Sequence, residues 1–331
     1  MILLLSEADV KSILTMPLAL EAVENSFKRL ADGSAILHSR ARLHVHGKSY
    51  LHYMAAADAA AGYMGMKIYS SAREGLRFLV LLFSAESGDL LAQIEADYLG
   101  QVRTGAASGL ATRLLARADA KTLGIIGTGL QARTQLEAIA ASKKIESIRA
   151  FGRDAQRRER FAFDMSAQLK IPVTPADSAE AAVRDSDIIV TATTATNPVL
   201  EGRWLRPGMH VNAIGANFPQ KRELDAEAIR KCDVIVADSR EQSKLEAGDL
   251  IQMYGDDERR WTSVIEFKDI VAGTVPGRAN AEQITLFKSN GVATEDVAVA
   301  GKIYEIAKER GMGRQIALWE KTGRVGEARA V

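Results

Sequence analysis

A glycine-containing loop in the middle of the chain is the first feature that could support chemistry. The loop, Gly127-Thr128-Gly129-Leu130-Gln131-Ala132, follows an apolar strand directly and opens an Ala-rich helix. Gly127 permits a tight turn there, Gly129 lets the backbone approach a phosphate, and Ala132 lets the helix pack closely on the strand. Exposed amides and the helix dipole at such a helix start hold a pyrophosphate. A purely structural turn is the alternative, but this context predicts a nicotinamide dinucleotide site.

The end of the next strand, Ala150-Phe-Gly-Arg-Asp, bears on which dinucleotide is bound. Domains that prefer NAD usually carry an acid there, which bonds the ribose hydroxyls. Gly152 stands where that acid is expected, and Arg153 could pair with a 2′-phosphate, which favours NADP as the cofactor. Alternatively, Arg153 could stack on the adenine, or Asp154 could serve one position later. NAD therefore stays open as the second choice.

The elements around this loop alternate between strands and helices. Strands are predicted at 122–127, 147–152, 188–193, 210–215 and 234–238, and helices at 131–142 and 154–169. This alternation predicts a parallel sheet that is covered on both faces, as in a Rossmann domain. Thr191 and Thr193 end one of its strands at the edge where ligands collect, so we expect them to line the cofactor cleft.

The first third of the chain has a different period. Two helices follow a short apolar strand, and several strands without intervening helices then lie between about Arg40 and Ile94, which indicates a mixed or antiparallel sheet. A helix is predicted at 101–118. Near the end, a short strand from Ile284 and a long helix from Val292 to Arg310 lie outside the alternation and could return to the first domain.

These patterns predict an α/β protein of two domains. A Rossmann dinucleotide-binding domain is expected at 119–289, and a smaller α+β mixed-sheet domain at 1–118 with 290–331 would be discontinuous in sequence. The smaller domain is the expected substrate-binding domain. A chain of 331 residues is long enough to bury two cores of ordinary size.

Composition favours a small-molecule partner. The 43 basic and 42 acidic side chains leave a formal net charge of +1, which gives no reason to expect nucleic acid or an anionic membrane. No uncharged apolar stretch approaches the roughly 20 residues of a membrane span. Cys232 is the only cysteine, so no intrachain disulfide can form. The single cysteine fits a reducing compartment, so we expect a cytoplasmic protein. His44 and His46 lack accompanying cysteines or arranged carboxylates, so we expect no bound metal.

Seven segments, in this order, resemble the ornithine cyclodeaminase and mu-crystallin family from end to end. They are Tyr50-Leu-His-Tyr-Met-Ala-Ala, Gly65-Met-Lys67, Leu81-Leu-Phe-Ser-Ala-Glu-Ser-Gly-Asp-Leu-Leu-Ala, Arg103-Thr-Gly-Ala-Ala-Ser, the loop at Gly127, Gly215-Ala-Asn-Phe-Pro-Gln-Lys-Arg-Glu-Leu-Asp and Phe287-Lys-Ser-Asn-Gly-Val-Ala-Thr-Glu-Asp. The resemblance implies an NAD(P)-dependent enzyme. It also implies a homodimer whose smaller domains pair through their sheets, with the active site in the cleft that faces the nicotinamide.

The resemblance assigns roles to individual residues of this chain. Lys67 resembles the family's active-site lysine, which sits beside the substrate carboxylate. Arg103 resembles the arginine that grips this carboxylate, a task that suits a guanidinium fork because it meets a carboxylate with two hydrogen bonds. Thr104 resembles the threonine near the cofactor phosphates. Without the resemblance, Lys67 and Arg103 would more often be surface charges.

A second substrate arginine is expected upstream of Met54. The spacing allows Arg40 or Arg42, which would share one face of a strand, and Arg42 is slightly favoured. Met54 is expected to help shape the substrate pocket. For a dicarboxylic substrate, the remaining arginine or Arg73 could supply an extra cation.

Asn217 is the informative departure from the family pattern. Ornithine-cyclising members and some alanine-oxidising members carry an aspartate at the corresponding place. Asparagine can donate or accept a hydrogen bond, but it cannot neutralise a positive charge or act as a base near pH 7. Mu-crystallin-like ketimine reductases also lack this acid, so we expect reduction of a small imino or ketimine carboxylate, with Asn217 counted among the catalytic residues.

Three other functions are kept as alternatives. A cyclodeaminase-type lyase would hold NAD tightly and release ammonia from ornithine without net change of the cofactor. An amino-acid dehydrogenase would start from a 2-oxo acid and free ammonia. A non-catalytic protein could use the same fold to bind NADP and a small acid, because fold alone does not establish function. Retention of Lys67 together with Arg103 argues against this last alternative.

Overall fold

The computed structural model describes residues 1–72 and 75–318. Its first part contains β1 (Ile2–Leu5), α1 (Glu7–Ile13), α2 (Met16–Asp32), β2 (Ala35–Val45), β3 (Ser49–Asp58), β4 (Tyr63–Ala72), β5 (Gly75–Ser84), β6 (Leu90–Glu95) and α3 (Asp97–Leu115). Its second part contains β7 (Thr122–Ile126), α4 (Leu130–Ser142), β8 (Ser147–Phe151), α5 (Ala155–Leu169), β9 (Val173–Pro175), α6 (Ala179–Val183), β10 (Ile188–Thr191), the short 3-10 helix Gly202–Trp204 and β11 (His210–Ala213). The last part contains α7 (Ala226–Lys231), β12 (Val234–Ala237), α8 (Arg240–Glu246), α9 (Gly248–Tyr254), α10 (Glu258–Ser263), β13 (Ile265–Glu266), α11 (Phe267–Val271), β14 (Thr285–Lys288), α12 (Ala293–Glu309) and β15 (Arg314–Ile316).

Seven strands form a mixed sheet in the order β15-β1-β6-β5-β4-β3-β2. The strands from β2 to β6 pair antiparallel, whereas β1 and β6 pair parallel. Alternate residues of these strands point to the two faces of the sheet. Helix α12 packs on one face, against β3 and β4, and also contacts α2 and α3. The mixed sheet predicted from the absence of intervening helices is confirmed.

Eight strands form a second sheet in the order β13-β12-β14-β11-β10-β7-β8-β9, and every pair is parallel. The strands β7, β10 and β11 are almost entirely buried, as expected for a parallel sheet covered on both faces. The order changes direction at β7, because β8 and β9 lie on one side of it and β10 on the other. The carboxyl ends of strands at such a point are where α/β sheets bind ligands.

The segment from Ile284 differs from its prediction. Its strand, β14, does not leave the parallel sheet but lies inside it, between β11 and β12. All four residues of β14 are buried, since neighbours flank the strand on both edges. Helix α12 and, after it, strand β15 return to the seven-stranded sheet. The proposed division into domains at 118/119 and 289/290 stays a prediction, which this membership of the two sheets supports, and residues 319–331 lie outside the described part.

Helix α3 connects the two sheets and begins four residues earlier than predicted. Asp97 stands in its first turn, where a carboxylate is favourable beside the helix dipole. The helix ends at Leu115 instead of 118, because Ala116 has extended backbone and its N–H donates to the carbonyl of Thr112. Among residues 1–72 and 75–318, no helix has the length and apolar character needed to cross a membrane.

Candidate active site

Two adjoining cavities lie at the carboxyl edge of the parallel sheet. The loop cavity, of about 820 Å³, is lined by the glycine loop, the end of β8 and residues 192–199. The cleft cavity, of about 690 Å³, is lined from both sheets and from α3. Gly129 and Thr193 line both cavities. A ligand with a phosphate group in the loop cavity could therefore extend into the cleft cavity.

The glycine loop has the geometry that its sequence predicts. Gly127 has a φ of +116°, and a Cβ at this position would collide with the carbonyl oxygen of Ala192. A Cβ at Gly129 would meet nothing within 4 Å, so open space lies in front of the first turn of α4. Thr128 lines the loop cavity, whereas Leu130 and Gln131 line the cleft cavity. Ala132, in the first turn of α4, is fully buried.

The far end of the loop cavity carries the residues that bear on cofactor choice. A Cβ at Gly152 would collide with the hydroxyl of Thr128, so this position has no room for an acid. Asp154 caps α5 and accepts a hydrogen bond from the backbone N–H of Arg157 at 2.9 Å. Arg153 and Arg157 are both exposed and line the cavity. The side chains available to a cofactor at this end are therefore cationic, because the nearby acid, Asp154, already caps the start of α5.

The two threonines after β10 are placed differently from one another. Thr193 lines both cavities, but Thr191 is fully buried and lines neither. The carboxylate of Glu223 accepts hydrogen bonds from both hydroxyls, at 2.8 Å from Thr191 and 2.7 Å from Thr193, and from the Gly215 N–H at 2.7 Å. Sequence reasoning missed Glu223, although it stands in the quoted segment that begins at Gly215. Its carboxylate ties the ends of β10 and β11 together beneath the cavities.

Three cations converge on the cleft cavity from different elements. Arg40 comes from β2, Lys67 from β4 and Arg103 from α3, and each is less than 10% exposed. Lys67 Nζ donates to Asp296 Oδ1 at 2.9 Å, and Arg103 Nε donates to the same oxygen at 3.1 Å. Sequence reasoning missed Asp296 and its neighbour Glu295, which also pairs with Arg103. Their signal was an acidic pair in the quoted segment that begins at Phe287.

The backbone makes room for these cations. A Cβ at Gly100 would lie 3.0 Å from Lys67 Nζ, so the ammonium packs against bare backbone of α3. Gly291 has a φ of +79°, and a Cβ there would collide with the guanidinium of Arg103. Thr104 lies one turn after Gly100, donates its hydroxyl to the Gly100 carbonyl at 2.7 Å and lines the cavity.

Burial controls the protonation of the cavity. It lowers the pKa of Lys67 to about 8, an effect that Asp296 partly offsets. Burial also raises the pKa of Glu295 to about 8, although Arg103 opposes this shift. For Arg103 burial alone would lower the pKa, but Asp296 and Glu295 outweigh it and hold the pKa above its ordinary value. Near pH 7 the cations therefore outnumber the ionised carboxylates, so the cavity suits a small anion.

The two candidate arginines of β2 are distinguished by the structure. Arg40 lines the cleft cavity, and Arg42, which was slightly favoured, does not. Both pair with the buried Glu246. Arg42 also packs over the ring of Phe218, with its guanidinium carbon 4.4 Å from the ring centre. Asn217 lines the cavity, and its carbonyl accepts a hydrogen bond from Arg42 at 3.0 Å.

Two other predicted residues are not brought into the cavities. Met54 is buried beside Lys67 in the register of β3 and β4, and it does not line the cleft cavity. Arg73 lies outside the described residues. Within the described ranges, no group of three or more His, Cys, Asp or Glu side chains is placed to hold a metal ion.

Comparison with known proteins gives consistent relatives. A Delta(1)-pyrroline-2-carboxylate reductase from Bacillus cereus is 41% identical over 239 residues, which are 72% of this chain and 73% of that enzyme. An alanine dehydrogenase from Archaeoglobus fulgidus is 34% identical over 329 residues, which are 95% of this chain and 98% of that enzyme. The solved structure of Thermococcus litoralis Delta(1)-pyrroline-2-carboxylate reductase in complex with NADH and L-proline has a TM-score of 0.91 at 37% identity and covers 95% of this chain and 100% of its own.

A family model gives the same result over nearly the whole described chain. The model described as the ornithine cyclodeaminase/mu-crystallin family matches residues 2–311. The resemblance inferred from the quoted segments and the α/β fold class are thereby confirmed. The chain belongs to the ornithine cyclodeaminase/mu-crystallin family.

Proposed function

We propose that the protein reduces small imino or ketimine carboxylates to amino acids with a nicotinamide dinucleotide. The observation that carries the proposal is the convergence of Arg40, Lys67 and Arg103 in one cavity beside the glycine loop. Cations with free donors recognise a carboxylate, and the adjoining loop supplies the cofactor site. The protein is thus an NAD(P)-dependent oxidoreductase that acts on CH–NH groups, as the sequence led us to expect.

Arg103, Lys67 and Asn217 have distinct parts in holding the substrate. Arg103 uses Nε and Nη1 for Asp296 and Glu295, which leaves Nη2 for the substrate. Lys67 uses one of its three donors for Asp296 and so retains others for the carboxylate or for proton transfer to the imine nitrogen. Asn217 offers an amide to the same nitrogen.

The residues of the loop cavity fit a nicotinamide dinucleotide. The open space before Gly129 and the amides of the first turn of α4 would hold its pyrophosphate. When bound in reduced form, the nicotinamide supplies the hydride. A substrate whose carboxylate is held in the adjoining cavity is already oriented relative to the nicotinamide. Hydride transfer then becomes effectively unimolecular.

Arg153 and Arg157 favour NADPH over NADH as the electron donor. Guanidinium groups bind a phosphate with two hydrogen bonds, and Gly152 leaves no acid to repel it. Replacing Arg153 by Ala should raise the KM for NADPH roughly tenfold, a loss of about 1.4 kcal/mol, and leave the KM for NADH unchanged. Arg160→Ala is the matched control, since Arg160 lies on α5, the helix that follows Arg153, and its side chain is 82% exposed. A parental preference for NADH that R153A does not change would reject this assignment.

The reaction itself is tested by absorbance at 340 nm. NADPH and NADH are each tried with cyclic ketimine acids and with 2-oxo acids plus ammonia or methylamine, and ornithine is tried with NAD. We expect net oxidation of the cofactor with the ketimine acids. Release of ammonia from ornithine without an absorbance change would instead establish the cyclodeaminase, although Asn217 stands where this reaction calls for an acid.

We further propose that the protein is a cytoplasmic homodimer. The face of the seven-stranded sheet opposite α12 carries exposed apolar residues, among them Leu43, Val45 and Leu51. Such a face is typical of a surface that a second copy covers. A single cysteine, Cys232, is compatible with a reducing compartment.

A further inference from the structure

The carboxylate of Glu246 is buried outside the lining of the cleft cavity and pairs with two arginines of β2, Arg40 and Arg42. Glu246 ends α8 and is fully buried. One of its oxygens accepts a hydrogen bond from Arg40 Nη1 at 2.6 Å, and the other pairs with Arg42 Nη2. We propose that Glu246 is a positioning residue, which holds Arg40 in the cleft cavity and, through Arg42, holds the loop that carries Asn217. This inference rests on the proposed function of the cavity.

The hydrogen bonds of Arg40 explain why its orientation depends on Glu246. Nη2 donates to the carbonyls of Asn290 and Gly291 at 3.0 and 3.2 Å, and the backbone N–H donates to Gln242 at 2.6 Å. Glu246 fixes Nη1, whereas Nε has no partner among residues 1–72 and 75–318. A guanidinium that is fixed on two sides loses little freedom when it meets a substrate carboxylate. Glu246 therefore prepares Arg40 for binding without touching the substrate.

Arg42 connects Glu246 to the loop that contains Asn217 and Phe218. Its guanidinium packs on Phe218 and donates to the Asn217 carbonyl at 3.0 Å. Asn217 and Phe218 line the cavity, but Arg42 does not. A change at Arg42 can therefore reach the substrate through this loop, and also through Glu246 and Arg40.

The charge balance makes Glu246 hard to replace. Two guanidinium groups share its single carboxylate, which is fully buried, and a buried charge is tolerated only when it is paired. Glu246→Gln keeps the volume of the side chain but removes the negative charge. Arg40 and Arg42 would then repel each other and turn to other partners. None of the hydrogen bonds that Arg40, Arg42 and Glu246 make among the described residues involves the dinucleotide loop or α4, so NADPH binding should be preserved.

The experiment compares Glu246→Gln, Arg42→Lys and the double variant with the parent enzyme. Glu241→Gln is the matched control, because Glu241 lies on the same helix and its side chain is 74% exposed. We measure the KM and kcat with an imino acid that the parent reduces, the Kd for L-proline with NADP, the Kd for NADPH and the Tm. We expect E246Q and R42K each to raise the KM and the L-proline Kd at least roughly tenfold, while the NADPH Kd stays at the parental value. The double variant should lose less than the product of the two single losses, since both act through one network.

The outcomes separate positioning from a merely structural role. Parental KM and L-proline Kd in folded E246Q and R42K would overturn the inference. So would equal losses of NADPH and L-proline binding, because they would assign Glu246 to folding alone. If the parent binds L-proline but reduces no imino acid, the proposed reaction fails and the L-proline Kd still decides the part of Glu246. If the parent neither reduces an imino acid nor binds L-proline, the proposed function is overturned and this inference falls with it.

Discussion

Lys67 is a residue whose charge depends on how it is packed. Burial lowers its pKa to about 8, so it is protonated at neutral pH and neutral above that value. Burial raises the pKa of Glu295 to about 8 as well, so Glu295 gains a negative charge beside Arg103 over the same range. Both titrations make the cavity less positive as the pH rises. Binding of a carboxylate should therefore weaken above pH 8.

The pH profile of the reductive reaction tests this coupling. We expect kcat/KM for the imino acid to fall as the pH rises through about 8, because the cation that attracts the carboxylate is lost. Lys67→Arg should lower the rate but remove the contribution of Lys67 to the fall of kcat/KM, since a guanidinium stays protonated over this whole pH range. Glu295→Gln removes the other titrating group and shows its share. A profile that is level between about pH 7 and about pH 9 would contradict the prediction.

The sequence predicted which residue types meet in the cavity, but not their orientation. Lys67 and Arg103 were identified by their segments, and both line the cavity. Arg40 and Arg42 could not be separated, because residues that alternate on a strand share a face. Their surroundings differ because Arg40 donates to the Asn290 carbonyl and Arg42 to the Asn217 carbonyl, which lie 250 and 175 positions away in sequence. Contacts over such separations have no local pattern.

The first turn of α12 shows that the sequence can predict a helix without predicting what its side chains contact. The sequence predicted this helix, and the structure places Glu295 and Asp296 in its first turn. It did not reveal that these acids face Lys67 and Arg103, which lie on β4 and α3. The helix thereby delivers counter-charge to the cavity from the far end of the chain. Its placement depends on packing against the seven-stranded sheet, which only the folded structure provides.

Replacing Asp296 by Asn tests the counter-charge that α12 supplies. Asp296 partly offsets the effect of burial on Lys67, so its removal should lower the pKa of Lys67 further below its ordinary value. We expect the fall of kcat/KM to move to lower pH than in the parent. Glu305→Gln, at a position 44% exposed on the same helix, should leave the profile unchanged. An unmoved profile in D296N would show that Asp296 does not govern the charge of Lys67.

The turn and the helix start of the glycine loop, in contrast, were predicted from sequence because their determinants are contiguous, whereas the binding of a dinucleotide there stays a prediction. The two glycines of the loop should nevertheless respond differently to alanine. Gly127→Ala forces a side chain into positive φ and onto Ala192, so we expect it to destabilise the fold by about 1–3 kcal/mol. Gly129 has a φ of −87° and open space around it, so Gly129→Ala should fold normally and weaken NADPH binding roughly tenfold by occupying the space before the helix. Urea unfolding and NADPH titration distinguish the two. Equal free energies of unfolding for the two variants would contradict this distinction.

The strand β14 shows where a periodic pattern misleads about an element. The strand from Ile284 was predicted to lie outside the alternation of strands and helices, although the expected Rossmann domain at 119–289 includes it, and β14 enters the parallel sheet between β11 and β12. A long stretch of short helices, α8 to α11, separates β12 from β14 and hides the relationship. The buried character of the strand was visible in sequence, whereas its partners were not. Burial alone does not say which sheet a short strand joins.

At the scale of the whole molecule, the two sheets leave one apolar surface without a described cover. On the face of the seven-stranded sheet away from α12, Leu51 pairs with Leu43, and Met66 pairs with Leu81. Leu43 and Leu51 are 58% and 38% exposed. The opposite face packs on α12, so this outer face is the side that a second copy could bury. A stable interface needs on the order of 1,000 Å² or more, and a broad sheet face offers such an area.

The double variant Leu43→Glu with Leu51→Glu tests the proposed homodimer. Both side chains are exposed in the protomer, so the substitutions should leave its fold intact, while like charges that face each other across a dimer oppose association. We expect the parent to run as a dimer in size-exclusion chromatography with light scattering at micromolar concentration, and the variant as a monomer. Phe163→Glu is the matched control, since Phe163 is 76% exposed on α5, and it should remain dimeric. A monomeric parent would reject the homodimer, and a dimeric double variant would place the interface on another surface.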